Sequence, residues 1–205
     1  MAPLRTMKES LRSLDIRNLS GYTFDTSFIS PIQIFRNLIS LRVQVYCGDG
    51  GDDSRCAFKL NDDNIKELAV ALSQLESLFL GHPCSKNTCA TTVACLLPIS
   101  VYCIKLRNLE IHFNTTNILD DFEIVFGDPR FEVLRSLPRC PLSCLEIYHM
   151  PLTVGDSGLG MVVEGMFHIF PSLEQCKGTS NNLDWEELSK RTAAVQLVRM
   201  VFPSE

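Results

Sequence analysis

No stretch of this 205-residue chain is both long enough to cross a bilayer and free of charges and turn residues. The first ten residues carry Arg5, Lys8 and Glu9 and lack an apolar core and a small-residue cleavage site. They therefore read as non-secretory, and the expected address is cytoplasmic or nuclear. Positive charge is also scarce, with 19 Lys and Arg against 24 Asp and Glu, a net charge of -5. Such a surface does not neutralise phosphates, so nucleic acid is not expected as the principal ligand. The nine cysteines include no Cys-x-x-Cys pair. An odd number of them without a secretion signal argues against a disulfide framework. The glycine-rich loop at Gly48 to Asp53 lacks the Lys-Ser/Thr of a phosphate loop and the spaced acids of a calcium loop. It reads as a solvated connector.

What is present is a folded chain. Hydrophobic residues make up 45% and charged residues 21%, too apolar for disorder and enough for one domain with a continuous core. Most cysteines sit among apolar neighbours, as in Ala94-Cys95-Leu96 and Tyr102-Cys103-Ile104, and read as small core fillers.

A repeat organises the chain. The pattern L-x-x-L-x-L, with Ile or Val accepted, occurs at Leu11-Arg-Ser-Leu14-Asp-Ile16, Leu38-Ile-Ser-Leu41-Arg-Val43 and Leu75-Glu-Ser-Leu78-Phe-Leu80. It returns at Leu106-Arg-Asn-Leu109-Glu-Ile111 and Leu142-Ser-Cys-Leu145-Glu-Ile147. Phe170-Pro-Ser-Leu173-Glu-Gln175 is taken as a sixth, degenerate copy with a polar last position. The last two apolar positions alternate with polar ones, which is strand periodicity. A strand this short must share its core with stacked neighbours. The expected fold is α/β: a leucine-rich-repeat solenoid of about five to six irregular repeats. A curved parallel sheet would form its concave face and helices its convex face.

The leading leucines are 27, 37, 31 and 36 residues apart. Leucine-rich repeats span about 20–29 residues, so these longer units need a full helix on the convex side. Asn61 caps an expected helix through Leu72, with apolar residues at i, i+3, i+4 and i+7. A second is expected over Thr88 to Leu97, stopped by Pro98, and a third starts at Asp128-Pro129 and runs through Leu134. A short helix is expected from Ser30-Pro31 to Arg36, and another over Leu159 to Phe167. Residues 1–177 form the repeat domain. Residues 178–205 form a loop and a C-terminal capping helix of the same domain, with Asp184 as its N-cap and Glu187 in the capping-box position. Its expected buried stripe is Leu188, Val195, Val198 and Phe202.

Between Leu60 and Asn117, the acidic helix start, Leu-Glu-Ser-Leu-Phe-Leu-Gly and Leu-Arg-Asn-Leu-Glu-Ile-His-Phe-Asn resemble the repeat region of fungal F-box/leucine-rich-repeat-like proteins. The later Leu-Arg-Ser-Leu-Pro and Phe-Pro-Ser-Leu pieces fit the same style, so the resemblance covers roughly residues 10 to 177. It implies a substrate receptor of a ubiquitin ligase. No segment of this chain matches an F-box, and about ten residues precede the first strand. A Skp-type adaptor is therefore expected as a partner only if an F-box lies upstream.

Geometry singles out the residues that alternate with the buried leucines. The expected protein-binding set is Asp15, Arg17, Arg42, Gln44, Phe79, Asn108, Glu110, His112, Glu146 and Tyr148, joined on the same face by Ser13, Ser40, Ser77, Gly81 and Cys144. Aromatic and arginine side chains on a polar face are common interface anchors. The expected activity is binding of an as yet unidentified protein, with no catalytic residue, cofactor or metal. His82, Cys84, Cys89 and Cys95 offer the ligand types of zinc without its usual paired spacing. Two alternatives stay open. One is a truncated repeat paralogue without activity. The other is a thiol-dependent hydrolase, which needs a cysteine with a histidine base among His82, His112, His149 and His168.

Overall fold

The computed structural model describes residues 8–17, 24–44, 58–81, 90–129, 131, 136–147, 154–178 and 183–201. Six short strands alternate with helices: β1 (Ser13–Ile16), α1 (Thr26–Ile32), β2 (Ser40–Gln44), α2 (Asp62–Ala71) and β3 (Ser77–Gly81). After a 3-10 turn at Val93–Cys95 come α3 (Leu96–Tyr102), β4 (Asn108–Ile111), α4 (Ile118–Gly127) and β5 (Cys144–Ile147). The chain continues with α5 (Gly155–Ile169), β6 (Gln175–Gly178) and α6 (Leu183–Val201). The strands form one parallel sheet in sequence order, β1 to β6.

The motif leucines set the register. Leu14, Leu41, Leu78, Leu109 and Leu145 are partners across successive strands, as are Ile16, Val43, Leu80, Ile111 and Ile147. From β2 onward both rows are fully buried, and they share one core with Ile29, Ile32, Ile65, Leu68, Ile99, Phe122, Val162 and Met166 from the helices. Parallel strands covered by helices bury their apolar row in this way. The leading leucines Leu38, Leu75, Leu106 and Leu142 are buried as well. Each entry turn is closed by one backbone bond: Leu38 N–H donates to Phe35 O, Leu75 to Leu72 O and Leu106 to Cys103 O, at 2.9–3.1 Å. The carbonyl just before each strand then receives two amides from the start of the next unit's strand. Arg12 O accepts from Ile39 and Ser40, Ile39 O from Glu76 and Ser77, and Glu76 O from Arg107 and Asn108.

This pattern corrects the sixth motif by three residues. Leu173 N–H donates to Phe170 O, so Phe170 occupies the position of Phe35, Leu72 and Cys103, and Leu173 is the leading residue. The register pairs Leu145 with Cys176 and Ile147 with Gly178, so the motif reads Leu173-Glu-Gln-Cys176-Lys-Gly178. Gln175 is then an outward residue, the partner of Cys144, and its polarity is ordinary. Small residues replace leucine where α6 packs against β6 and α5. Leu188 and Thr192 of α6 are buried, and Val195 packs on the core. Val198 and Phe202 lie outside the described residues or side chains.

The helices depart from expectation at their ends. α2 begins as expected, with Asn61 and Asn64 side chains each accepting the other's backbone N–H. α1 starts before Ser30, because Asp25 caps it by accepting from Ser27 N–H at 2.9 Å, and Pro31 falls inside it. Pro98 does not stop a helix but occupies the first turn of α3, where its missing N–H has no intrahelical partner to lose. α6 already includes Leu183, so Asp184 lies inside the helix and not at its N-cap. Asp128 is not an N-cap but the C-cap of α4, a helix outside those expected from sequence, whose buried stripe is Ile118, Phe122 and Val125. Pro129 and Phe131 are helical, and much of the stretch expected to follow Asp128 lies outside the described residues.

A polar link ties successive units. The Asp62 carboxylate accepts from the Thr92 backbone at 2.7 Å and from its hydroxyl at 2.8 Å, and buried Thr91 donates its hydroxyl to Leu60 O at 2.9 Å. Burial raises the Asp62 pKa above the ordinary aspartate range, and nearby Asp63 adds to the shift. A carboxyl raised on folding binds its proton more tightly in the native state. Its contribution to stability is therefore greatest below the unfolded value and is lost as pH rises through the folded value. In Asp62→Asn this component is expected to vanish. Urea unfolding of both proteins across the carboxylate range should show wild type losing stability relative to the variant as pH rises, with no further change above the Asp62 titration.

Candidate functional site

The face of the sheet opposite the helices carries two described rows of side chains. One is Ser13, Ser40, Ser77, Asn108, Cys144 and Gln175, and the other is Asp15, Arg42, Phe79, Glu110, Glu146 and Lys177. Strand pairing places each residue directly beside its neighbour, where cross-strand side chains interact. The first row is short and polar, and the second holds both charge signs.

Arg42 is the best-defined member. Its guanidinium lies over the Phe79 ring, 3.9 Å from the centroid, and reaches past it to Glu110 Oε2 at 3.8 Å. A cation over an aromatic face is attracted by the ring quadrupole. Below the strand end the ring lies against Gly81, where an added Cβ would come within 2.6 Å of Phe79 Cζ. Between Gly81 and Arg42 the ring is only 3% exposed. Phe79 thus points to the expected face but is not an exposed anchor. The accessible group is the guanidinium above it, whose side chain is 38% exposed.

Removing that cover has a measurable consequence. Arg42→Ala is expected to cost about 0.5–2 kcal/mol, the range of a cation–aromatic contact, and to expose the ring. Urea unfolding and binding of a hydrophobic dye check this. A variant with unchanged stability and no added dye binding would mean that the guanidinium does not cover Phe79 in solution.

The remaining expected residues are distributed unevenly. Asp15 and Arg17 pair with each other, Arg17 Nε donating to Asp15 Oδ1 at 2.9 Å and Nη2 to Oδ2 at 2.6 Å. The hydrogen bond from Arg17 lowers the Asp15 pKa, and the positive charges of Arg17 and Arg42 act in the same direction. Gln44 is half-buried beside Gly81, Asn108 is exposed, and Glu110 and Glu146 are half-buried neighbours on β4 and β5. His112 was expected on this face and is instead buried at 2% exposure, with its ring edge-on to Phe58 at 6.4 Å. β4 ends at Ile111, and the alternation ends with it: Ile111, His112 and Phe113 are all buried. Tyr148 and His149 lie outside the described residues. Lys177 belongs to the charged row but was missed, because the three-residue error in the sixth motif hid its partnership with Glu146.

The thiols have a different character. Burial pushes the Cys103, Cys140 and Cys176 thiols up to about 12. Half-buried Cys144 is also raised, first by burial and further by Glu146 and Glu110, while Lys177 opposes the shift. These environments hold the groups as protonated thiols, and the thiolate is the nucleophile. Among the described residues, no group of three or more His, Cys, Asp or Glu side chains is placed to hold a metal ion. His82, Cys84 and Cys89 lie outside the described residues, and Cys95 is buried in the core. No helix among the described residues is long and apolar enough to cross a membrane.

No family model matches the chain, and no curated protein matches it.

Proposed function

We propose that the chain is a leucine-rich-repeat solenoid whose exposed sheet face binds another protein. In this reading the sheet is the concave side, and the six units lead with Leu11, Leu38, Leu75, Leu106, Leu142 and Leu173. The observation that carries it is the charged row from Asp15 to Lys177, which draws one side chain from each of six consecutive strands into a line. Repeat proteins bind through extended faces of this kind. Arg42 supplies a guanidinium already held against an aromatic ring, so less side-chain freedom is lost when a partner contacts it. Arginine is also among the residues most enriched at interface hot spots.

The contacting set is Asp15, Arg17, Arg42, Gln44, Asn108, Glu110 and Glu146, with Lys177 added and Tyr148 retained from the sequence. Phe79 acts through the Arg42 it supports, and His112, buried in the core, is left out of the contacting set. The resemblance to F-box/leucine-rich-repeat-like proteins extends the proposal to substrate recognition in a ubiquitin ligase, in the cytoplasm or nucleus. An adaptor of the Skp type would then join only through an upstream F-box. The thiol-hydrolase alternative has less support, because the described thiols named above are raised and not activated.

Site-specific photo-crosslinking tests the surface. A photoreactive residue at exposed Asn108 is expected to capture a discrete protein partner, whereas the same residue at exposed Lys66 on α2 is not. Equal capture from both positions, or from Lys66 alone, would move the binding surface off the sheet.

A further inference from the structure

Exposed apolar side chains are not spread evenly over the surface. Among the described residues eight large ones are exposed, and five lie between the last turns of α1–α3 and the starts of β2–β4. These five are Ile34, Ile39, Val70, Tyr102 and Ile104, each 38–51% exposed. The turns that carry them are equivalent, because Phe35, Leu72 and Cys103 accept the same backbone bond. Ile34, Ala71 and Tyr102 precede these three residues and so stand side by side in adjacent units. Side chains cross between the units, Lys105 Nζ donating to Gln74 Oε1 at 2.7 Å and Arg12 Nη1 to Asn37 O at 3.1 Å. Arg12, Ile39, Glu76 and Arg107 follow one another just before β1–β4 in the same bond frame. These positions form one continuous edge of the protein.

The charge of this edge is opposite to that of the chain. Over residues 33–39, 70–76 and 102–107 together with Arg12, the cations are Arg12, Arg36, Lys105 and Arg107, and the only acid is Glu76. All five are exposed, and none of the four cations is in an ion pair among the described residues. Farther up α2, Lys66 offsets Glu67, and Asp63 lies a turn beyond them. The chain as a whole carries -5. Charges farther than about 8 Å are largely screened at physiological salt, so the local sign governs what approaches. The cations are also interleaved with the apolar residues, Arg36 between Ile34 and Ile39 and Lys105 beside Ile104. Protein interfaces instead keep charge at the rim and out of the centre. A lipid headgroup layer suits the mixture, because its phosphates meet the bases while the isoleucines and the tyrosine enter the acyl boundary. We propose that this edge binds an anionic lipid surface, lying in the headgroup layer. It shares no residue with the charged row of the sheet, so the two surfaces act independently.

Flotation of the full chain with vesicles tests the proposal, using phosphatidylcholine alone or mixed with an equal part of phosphatidylserine. Wild type is expected to float only with the phosphatidylserine vesicles and to be released by added salt. Lys105→Glu with Arg107→Glu is expected to weaken binding about tenfold or more. Tyr102→Ser with Ile104→Ser is expected to weaken it without changing the charge. Lys59→Glu with Lys190→Glu makes the same charge change at exposed positions elsewhere and is expected to stay within about twofold of wild type. Wild type that ignores the phosphatidylserine vesicles, or binding unchanged in either edge variant, would overturn the proposal. Soluble polyglutamate serves as a competing probe. Its capture through Lys105 and Arg107 without vesicle binding would overturn the lipid reading in favour of an acidic protein. If an edge variant unfolds, wild-type amide exchange decides. Vesicle-induced protection over residues 34–39 and 102–107 supports the proposal, and protection confined to other segments refutes it.

Discussion

Replacing Gly165 with leucine is expected to destabilise the protein by about 3 kcal/mol, the upper end of the overpacking range. Gly165 lies in α5 against the Phe122 ring of α4. An added Cβ would lie 2.7 Å from Cε1, 2.8 Å from Cδ1 and 2.9 Å from Cζ. Phe122 is 1% exposed and stacks on Phe126 at 5.5 Å, so admitting a side chain at Gly165 requires this stacked pair to shift. The clash opposes the general gain of roughly 1 kcal/mol when glycine leaves a helix interior. Gly160 of the same helix supplies the control, since an added Cβ there meets nothing within 4 Å. Gly160→Ala is therefore expected to hold or gain stability while Gly165→Leu loses it. Urea unfolding of the two variants reads the contrast. Similar small changes in both would mean that α4 and α5 do not pack through this glycine.

The second large effect concerns the shared leucine row. Leu109 lies on β4 between Leu78 and Leu145 and is 1% exposed. Leu109→Ala removes most of a side chain from a site closed on both flanks, at an expected cost of about 2–5 kcal/mol. Leu14→Ala makes the same chemical change at the half-buried edge, where less area returns to water and the surroundings can relax. Its cost is expected to be clearly smaller. Equal losses in urea unfolding would mean that the first strand is as enclosed as the fourth, contrary to the uncovered edge of β1.

Much of this architecture is legible because one residue pattern is repeated. Leu14, Leu41, Leu78, Leu109 and Leu145 form a set by the repeated motif alone, and they are in register in the sheet. The sixth copy was misframed for a physical reason. Cys176 and Gly178 stand where the other strands carry leucine or isoleucine, while Phe170 imitates a leading leucine three residues early. The missing signal was the turn bond from Leu173 to Phe170, which a sequence does not display. α4 carried a readable stripe in Ile118, Phe122 and Val125, but Asn117 makes no side-chain cap to announce it. Proline was overread as a boundary at Pro98 and Pro31, since its position within a helix depends on where the cap lies.

On the exposed face, alternation identified the side on which Asp15, Arg42, Phe79, Glu110 and Glu146 stand. It did not show that Arg42 would cross Phe79 toward Glu110 and bury it. That outcome depends on the small Gly81 and on the lengths of three side chains on adjacent strands. His112 shows the same limit, because a two-residue period says nothing once the strand has ended.

Paired charge reversals test whether the charged row is the binding surface. Arg42→Glu with Glu146→Lys changes two row residues and leaves the net charge at its native value. Lys66→Glu with Glu67→Lys does the same on exposed positions of α2. Recovery of the Asn108-crosslinked partner is measured for each at matched thermal stability. Recovery is expected to fall about tenfold or more for the row variant, equivalent to 1.4 kcal/mol, and to stay native for the α2 variant. Undiminished recovery by the row variant would place the binding surface elsewhere.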